Sequence, residues 1–216
     1  MLHLFLRITD TLFGLLVENI LVIDNVRVKQ NFFQYKRLSK LETFIKEECK
    51  VKFKFFESQK NFEKIDYKSL NGPEKHRIFS KIKIHEIIDG DDEEMLELGY
   101  TIVSIWTDFY DIFNEVKNNE LAHDEVKTKT SDWLKNFLKI YERNKVTPYM
   151  HTFIAHLHEF VELYEDVNQF TTQGLEKMND LCTGYYFRSN NKKDNALIQL
   201  LHKRNRIEIN SYDEDK

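Results

Sequence analysis

The stretch that decides the fold runs from Met95 to Tyr141, MLELGYTIVSIWTDFYDIFNEVKNNELAHDEVKTKTSDWLKNFLKIY. Leu98, Ile102, Ile105, Trp106, Phe109, Ile112, Phe113 and Val116 recur at steps of three or four, and Val126, Trp133, Phe137, Leu138 and Tyr141 form a second such set. This spacing puts apolar side chains on one face of a helix, so two long core-building helices are expected. Trp106 and Trp133 sit within these stripes and read as core rather than as platforms for a ligand.

The segments on either side follow the same logic. Leu2, Phe5, Leu6, Thr9, Phe13, Leu16, Ile20 and Ile23 predict an amphipathic helix apolar enough to be deeply buried. Asp24 or Asn25 is expected to cap a second helix with the face Val28, Phe32, Tyr35, Leu38, Leu41 and Ile45. At 51–56 the period changes: VKFKFF alternates and is rich in β-forming residues, and FEKIDYKSL follows at 62–70, so a two-stranded ribbon is expected there. Asn71, Gly72 and Pro73 close the ribbon, with Pro73 in the first turn of a helix reaching Ile88. The acidic run from Asp89 to Glu94 reads as a solvated helix entry. Pro148 opens a helix with the stripe Met150, Phe153, Ile154, Leu157, Phe160, Val161 and Tyr164. Thr171 or Thr172 caps a shorter one with Leu175, Met178, Cys182 and Tyr185 inward, and a last helix spans Ala196 to Ile207.

The expected fold class is therefore mainly α, a bundle of about seven to eight helices with one short β-ribbon insertion near 51–70. A single helical domain is expected over 1–210, divided into a hairpin at 1–50, the ribbon insertion at 51–72 and a helical body at 73–210, with a disordered tail at 211–216.

Composition agrees with a folded helical chain. Of 216 residues 41% are apolar, with 17 Phe and 10 Tyr, which sets the chain apart from disordered sequences although 31% of it is charged. Only 6 Gly and 2 Pro interrupt it. A net charge of -4 provides no global attraction to nucleic acid, so any phosphate-binding surface must be local. Cys49 and Cys182 fit no metal or redox spacing and read as idle thiols of a reducing compartment. Arg7, Asp10 and Glu18 interrupt the apolar N-terminal segment, which excludes a membrane span of about 20 uncharged residues. The expected location is intracellular, nucleus or cytoplasm, without membrane contact.

Three groups of residues could carry chemistry. His151, His156 and His158 cannot grip one ion from a continuous helix, because residues five or two apart point to different sides and residues seven apart lie about 10 Å apart along the axis. No metal site is assigned to them. Glu176, Asn179 and Asp180 share one polar helical face opposite Leu175, Met178 and Cys182. A basic C-terminal region holds Arg188, Lys192, Lys193, His202, Lys203, Arg204 and Arg206, interleaved with Tyr185, Tyr186 and Phe187. Cations neutralise phosphates and aromatic rings stack on bases, so this region is the expected nucleic-acid contact. Phosphate loops, nucleophile elbows and paired-cysteine motifs do not occur.

Several segments taken in order, LHLFLRITDTLF at 2–13, LNGPEK at 70–75, TPYMHTFIAHLHEF at 147–160, QGLEKMND at 173–180, YYFRSNN at 185–191 and QLLHKRNR at 199–206, resemble a family of transposon-derived proteins of invertebrates and fungi. The resemblance implies the C-terminal part of a ribonuclease-H-like, DDE-type transposase with a large helical insertion. Such enzymes hold two divalent metals with three acids, and Glu176 is similar to the last of them. The other two acids would lie upstream of Leu2. One carboxylate cannot organise a two-metal site, so the expectation is a non-catalytic remnant with DNA as its partner and no cofactor. One alternative is a divalent-metal-dependent, DNA-cleaving transposase whose remaining acids lie upstream or on another chain, with Mg²⁺ as cofactor. Another is a structural scaffold, in which a homo-oligomer or another chain covers exposed apolar surface.

Overall fold

A helix that is apolar around most of its circumference must be surrounded by other elements, and α1 (Leu2–Ile23) is. Its Phe5, Ile8, Leu12, Phe13, Leu15, Leu16, Val17 and Ile20 are all buried. In this computed structural model, residues 2–24, 35–57, 65–81, 83–88 and 93–164 are described, together with Val167, Thr183, Ile198, Gln199, Leu201 and His202. The chain divides into two units, Met1–Gln169 and Phe170–Lys216. In the second, Thr183, Ile198, Gln199, Leu201 and His202 are helical.

The first unit is mainly helical with a small two-stranded antiparallel sheet, as the periodicities predict. Around α1 pack α2 (Lys36–Glu47), α3 (Gly72–Phe79), α5 (Glu93–Lys117) and α7 (Pro148–Ala155). The short α4 (Ile84–Ile87) packs on α2 and α5, α6 (His123–Ile140) lies along α5, and α8 (Leu157–Leu163) packs on α6. Strands β1 (Phe55–Glu57) and β2 (Ile65–Tyr67) pair with Phe55 opposite Tyr67, Phe56 opposite Asp66 and Glu57 opposite Ile65. Trp106 and Trp133 are both core residues, each 1% exposed. Trp106 stacks on Phe79 at 4.2 Å, and the Trp133 indole donates to the Ile105 carbonyl at 2.8 Å, tying α6 to α5.

Local chemistry fixes the helix starts. Asn71 and Glu74 form a reciprocal capping box at the head of α3, and the Thr147 hydroxyl accepts the Met150 N–H ahead of Pro148 in α7. Glu93 and Glu94 lie in the first turn of α5, where the expected acidic entry places them.

Three expected helices are corrected. The second does not run unbroken from Asn25: Tyr35 has non-helical angles, and α2 starts at Lys36. Asp24 nevertheless caps it from a distance, accepting the Arg37 N–H at 3.1 Å and pairing with the Arg37 guanidinium at 2.7 Å. The helix expected from Pro73 to Ile88 breaks after Phe79. A turn at Ser80 and Lys81 redirects the chain so that Ile84, Ile87 and Ile88 enter the core as well. The helix expected from Pro148 to Tyr164 breaks at His156, whose angles are φ -124 and ψ -14. Beyond it Leu157 stays buried, but Phe160, expected inward, is 43% exposed.

Among the described residues no helix is long and apolar enough to cross a membrane.

Candidate nucleic-acid interface

The residues singled out in the sequence fare unequally. Glu176, Asn179, Asp180, Arg188, Lys192, Lys193, Lys203, Arg204 and Arg206 lie outside the described residues, as does Cys182. The break at His156 changes the histidine geometry: the His151 and His156 rings come edge to face at 5.3 Å, which a continuous helix would not allow. Nδ1 of His156 lies 2.9 Å from the Glu159 carboxylate, and this hydrogen bond is the main reason that carboxyl titrates below the ordinary glutamate range. Among the described residues, no group of three His, Cys, Asp or Glu side chains is placed to hold a metal ion. Asp10 and Asp24, the aspartates nearest the N-terminus, are engaged by Lys75 and Arg37.

A different surface carries concentrated charge. Past the end of α2, Lys50 adopts a left-handed backbone with φ 54, and the Val51 N–H bonds back to the Ile45 carbonyl at 3.1 Å. The chain leaves this turn extended and enters β1. In an extended chain successive side chains alternate between faces. Val51, Phe53 and Phe55 accordingly go into the core, at 2%, 3% and 1% exposure, while Lys50, Lys52, Lys54 and Phe56 face solvent. With Lys46 and Lys68, the three lysines line an open groove of about 600 Å³ floored by Val51 and Phe53.

Neighbouring side chains fix this segment by its backbone. The Glu42 carboxylate on α2 accepts the Phe55 N–H at 3.0 Å and is also paired with Lys46. The Lys68 ammonium donates to the Lys52 carbonyl at 3.0 Å and to Glu74 at 3.1 Å, and the Lys68 N–H donates to the Lys54 carbonyl at 3.2 Å. Arg77 and Lys81 bond the carbonyls of Lys50 and Glu48 at 3.3 and 2.9 Å. Two acids beside the groove are thus occupied: Glu42 by Lys46 and the Phe55 amide, Glu74 by Lys68 and the Asn71 amide. Among the described residues Lys50, Lys52 and Lys54 have no ion-pair partner. The result is a row of three ammonium groups on a rigid ridge, next to cations already committed to the backbone. Such a row meets the requirement for binding a polyanion, a local excess of positive charge on a chain whose net charge is negative.

The sequence contained a signal for this surface. KVKFKFF puts a lysine at every second position from Lys50, so the alternation that predicts the strand also predicts a basic face on it. Reading the alternation for secondary structure alone missed the face.

Compared with known proteins, the chain matches no family model, no curated protein and no solved structure.

Proposed function

We propose that this chain is a non-catalytic, transposase-derived helical module that binds nucleic acid through its phosphate backbone. The observation that carries this reading is the row of Lys50, Lys52 and Lys54, exposed, without acidic partners among the described residues, and held in register by the docking of Val51, Phe53 and Phe55. Each lysine that neutralises a phosphate releases a condensed counterion, so a row of this kind gains affinity without reading sequence. The basic C-terminal residues Arg188, Lys192, Lys193, Lys203, Arg204 and Arg206 extend the same chemistry along the chain.

The transposase ancestry rests on the ordered motifs, and the non-catalytic character on chemistry. Of the three metal-binding acids that such enzymes use, Glu176 is the one with a counterpart in the motifs quoted above, and a single carboxylate cannot by itself position two cations, so the proposal for these 216 residues is binding without cleavage. The module would act wherever its nucleic acid is found, in the nucleus or the cytoplasm.

The test is fluorescence anisotropy of labelled DNA mixed with the full chain over a series of salt concentrations. Binding at low salt that weakens linearly in log K against log salt supports the reading, and no binding at low salt contradicts it. Incubation with Mg²⁺ or Mn²⁺ should leave the strand intact. Cleavage that disappears in Glu176→Gln would establish the transposase alternative instead.

A further inference from the structure

Resting on the reading above, we infer that the preferred ligand of the lysine ridge is single-stranded nucleic acid, held with successive phosphates on Lys50, Lys52 and Lys54 and a base stacked on Phe56. Two observations point the same way. Alternate side chains of an extended chain stand about 6.6–6.8 Å apart on one face, a spacing that holds for Lys52, Lys54 and Phe56, with Lys50 preceding them in the turn, and that suits adjacent phosphates along one extended strand. On that same face, the residue following Lys54 is Phe56, a large apolar ring left 43% exposed at the end of the row. Cations tracking a backbone with an aromatic ring beside them form the arrangement that binds unpaired strands, whose bases are free to stack. A duplex keeps its bases inside and has none to offer Phe56.

The surroundings fit this orientation. Phe56 lies opposite Asp66 in the ribbon, while Lys54 is joined to Lys68 by the bond between the Lys68 N–H and the Lys54 carbonyl. Among the described residues the row of lysines therefore gives way after Lys54 to Phe56 and Asp66, where a phosphate would meet a carboxylate whereas a base meets a ring. The ridge holds no side-chain amide to read base edges, so binding should be tolerant of sequence.

The experiment measures anisotropy of labelled oligo-dT, oligo-U and a mixed-sequence duplex of equal length, using the full chain. The single strands should bind at least several-fold more tightly than the duplex; the two single-strand arms distinguish DNA from RNA as the source of the shared chemistry. Phe56→Ala should weaken single-strand binding about tenfold and leave the duplex unchanged, and Phe56→Trp should retain single-strand binding. Because Phe56 lies outside the core, both variants should fold, which circular dichroism verifies. Equal affinity for duplex and single strand, or an unchanged Phe56→Ala, would overturn the inference while leaving the phosphate-binding reading intact. Displacement of the oligonucleotide by polyglutamate as readily as by unlabelled strand would overturn it in favour of an acidic protein partner. Failure of every oligonucleotide to bind would remove both readings.

Discussion

The ammonium of Lys75 lies 2.6 Å from the carboxylate of Asp10 and 2.9 Å from the Leu6 carbonyl, clamping α3 onto α1. The pair is lopsided, with the lysine side chain 5% exposed and the aspartate 48%. Removing the aspartate strands a desolvated cation, whereas removing the lysine leaves a carboxylate that water can solvate. Asp10→Ala should therefore cost about 1–3 kcal/mol, and Lys75→Met less than about 1.5 kcal/mol, the solvent on the aspartate side keeping both below the cost of a fully buried pair. Urea denaturation of the two variants checks this, and a reversed order would mean that the clamp works through packing rather than charge.

His76 supplies a pH dependence. Its ring stacks on Phe5 at 4.1 Å, and burial, helped by the Lys117 charge, pushes its pKa below the ordinary 6.5. A histidine with a lowered folded pKa binds protons more readily once the chain is unfolded. Its contribution is thus fully present above pH 6.5 and is lost as the pH falls from there toward the folded value. Denaturation midpoints should drop as the pH is lowered through this window, and His76→Phe should drop less. A variant that follows the wild type throughout would remove His76 as the cause.

Cys49 should be chemically silent. It is buried at the end of α2, and burial pushes its thiol up to about 11 despite the nearby Lys81 charge. At mildly alkaline pH its thiolate fraction is about a hundredfold below that of an ordinary thiol, before access is considered. In a Cys182→Ser background, iodoacetamide should label the native protein very slowly and the urea-unfolded protein quickly. Equal rates would show that the end of α2 opens freely.

Gly14 lies inside α1, and a methyl group added there would find its nearest neighbour, the Tyr67 hydroxyl, at 3.9 Å, an ordinary contact. The glycine has a helical backbone and gains nothing from its freedom there, so Gly14→Ala should stabilise the protein by about 0.5–1 kcal/mol. A thermal melt shows the sign directly: a lower midpoint would mean that α1 and the ribbon approach more closely than this.

These residues also show what a sequence can reveal. The burial of α1, the stripes of α5 and α6, the ribbon and the placement of Pro73 in the first turn of α3 all follow from spacing, because periodicity and Pro or Asn signals act over a few residues. The non-helical Tyr35 and the breaks at Ser80 and His156 did not show. None carries a glycine or proline, and each is set by tertiary demands: Asp24 reaching Arg37, Ile84 and Ile88 turning into the core, and Leu157 staying there while Phe160 leaves. The lysine ridge was legible in principle, since alternation fixes which side chains share a face. That Lys50, Lys52 and Lys54 have no acidic partner among the described residues was not, because it depends on Glu42 and Glu74 being satisfied by residues distant from the ridge in sequence.

The most direct measurement of the central claim is the salt dependence of oligonucleotide binding in the wild type and in a variant carrying Lys50→Gln, Lys52→Gln and Lys54→Gln together. Glutamine is uncharged and polar and only slightly shorter, and the three positions are exposed, so the fold should persist while three phosphate contacts disappear. For a single strand each contact contributes about 0.7 to the slope of log K against log salt, so the variant's slope should be shallower by about 2. An unchanged slope would show that the ridge does not touch phosphate.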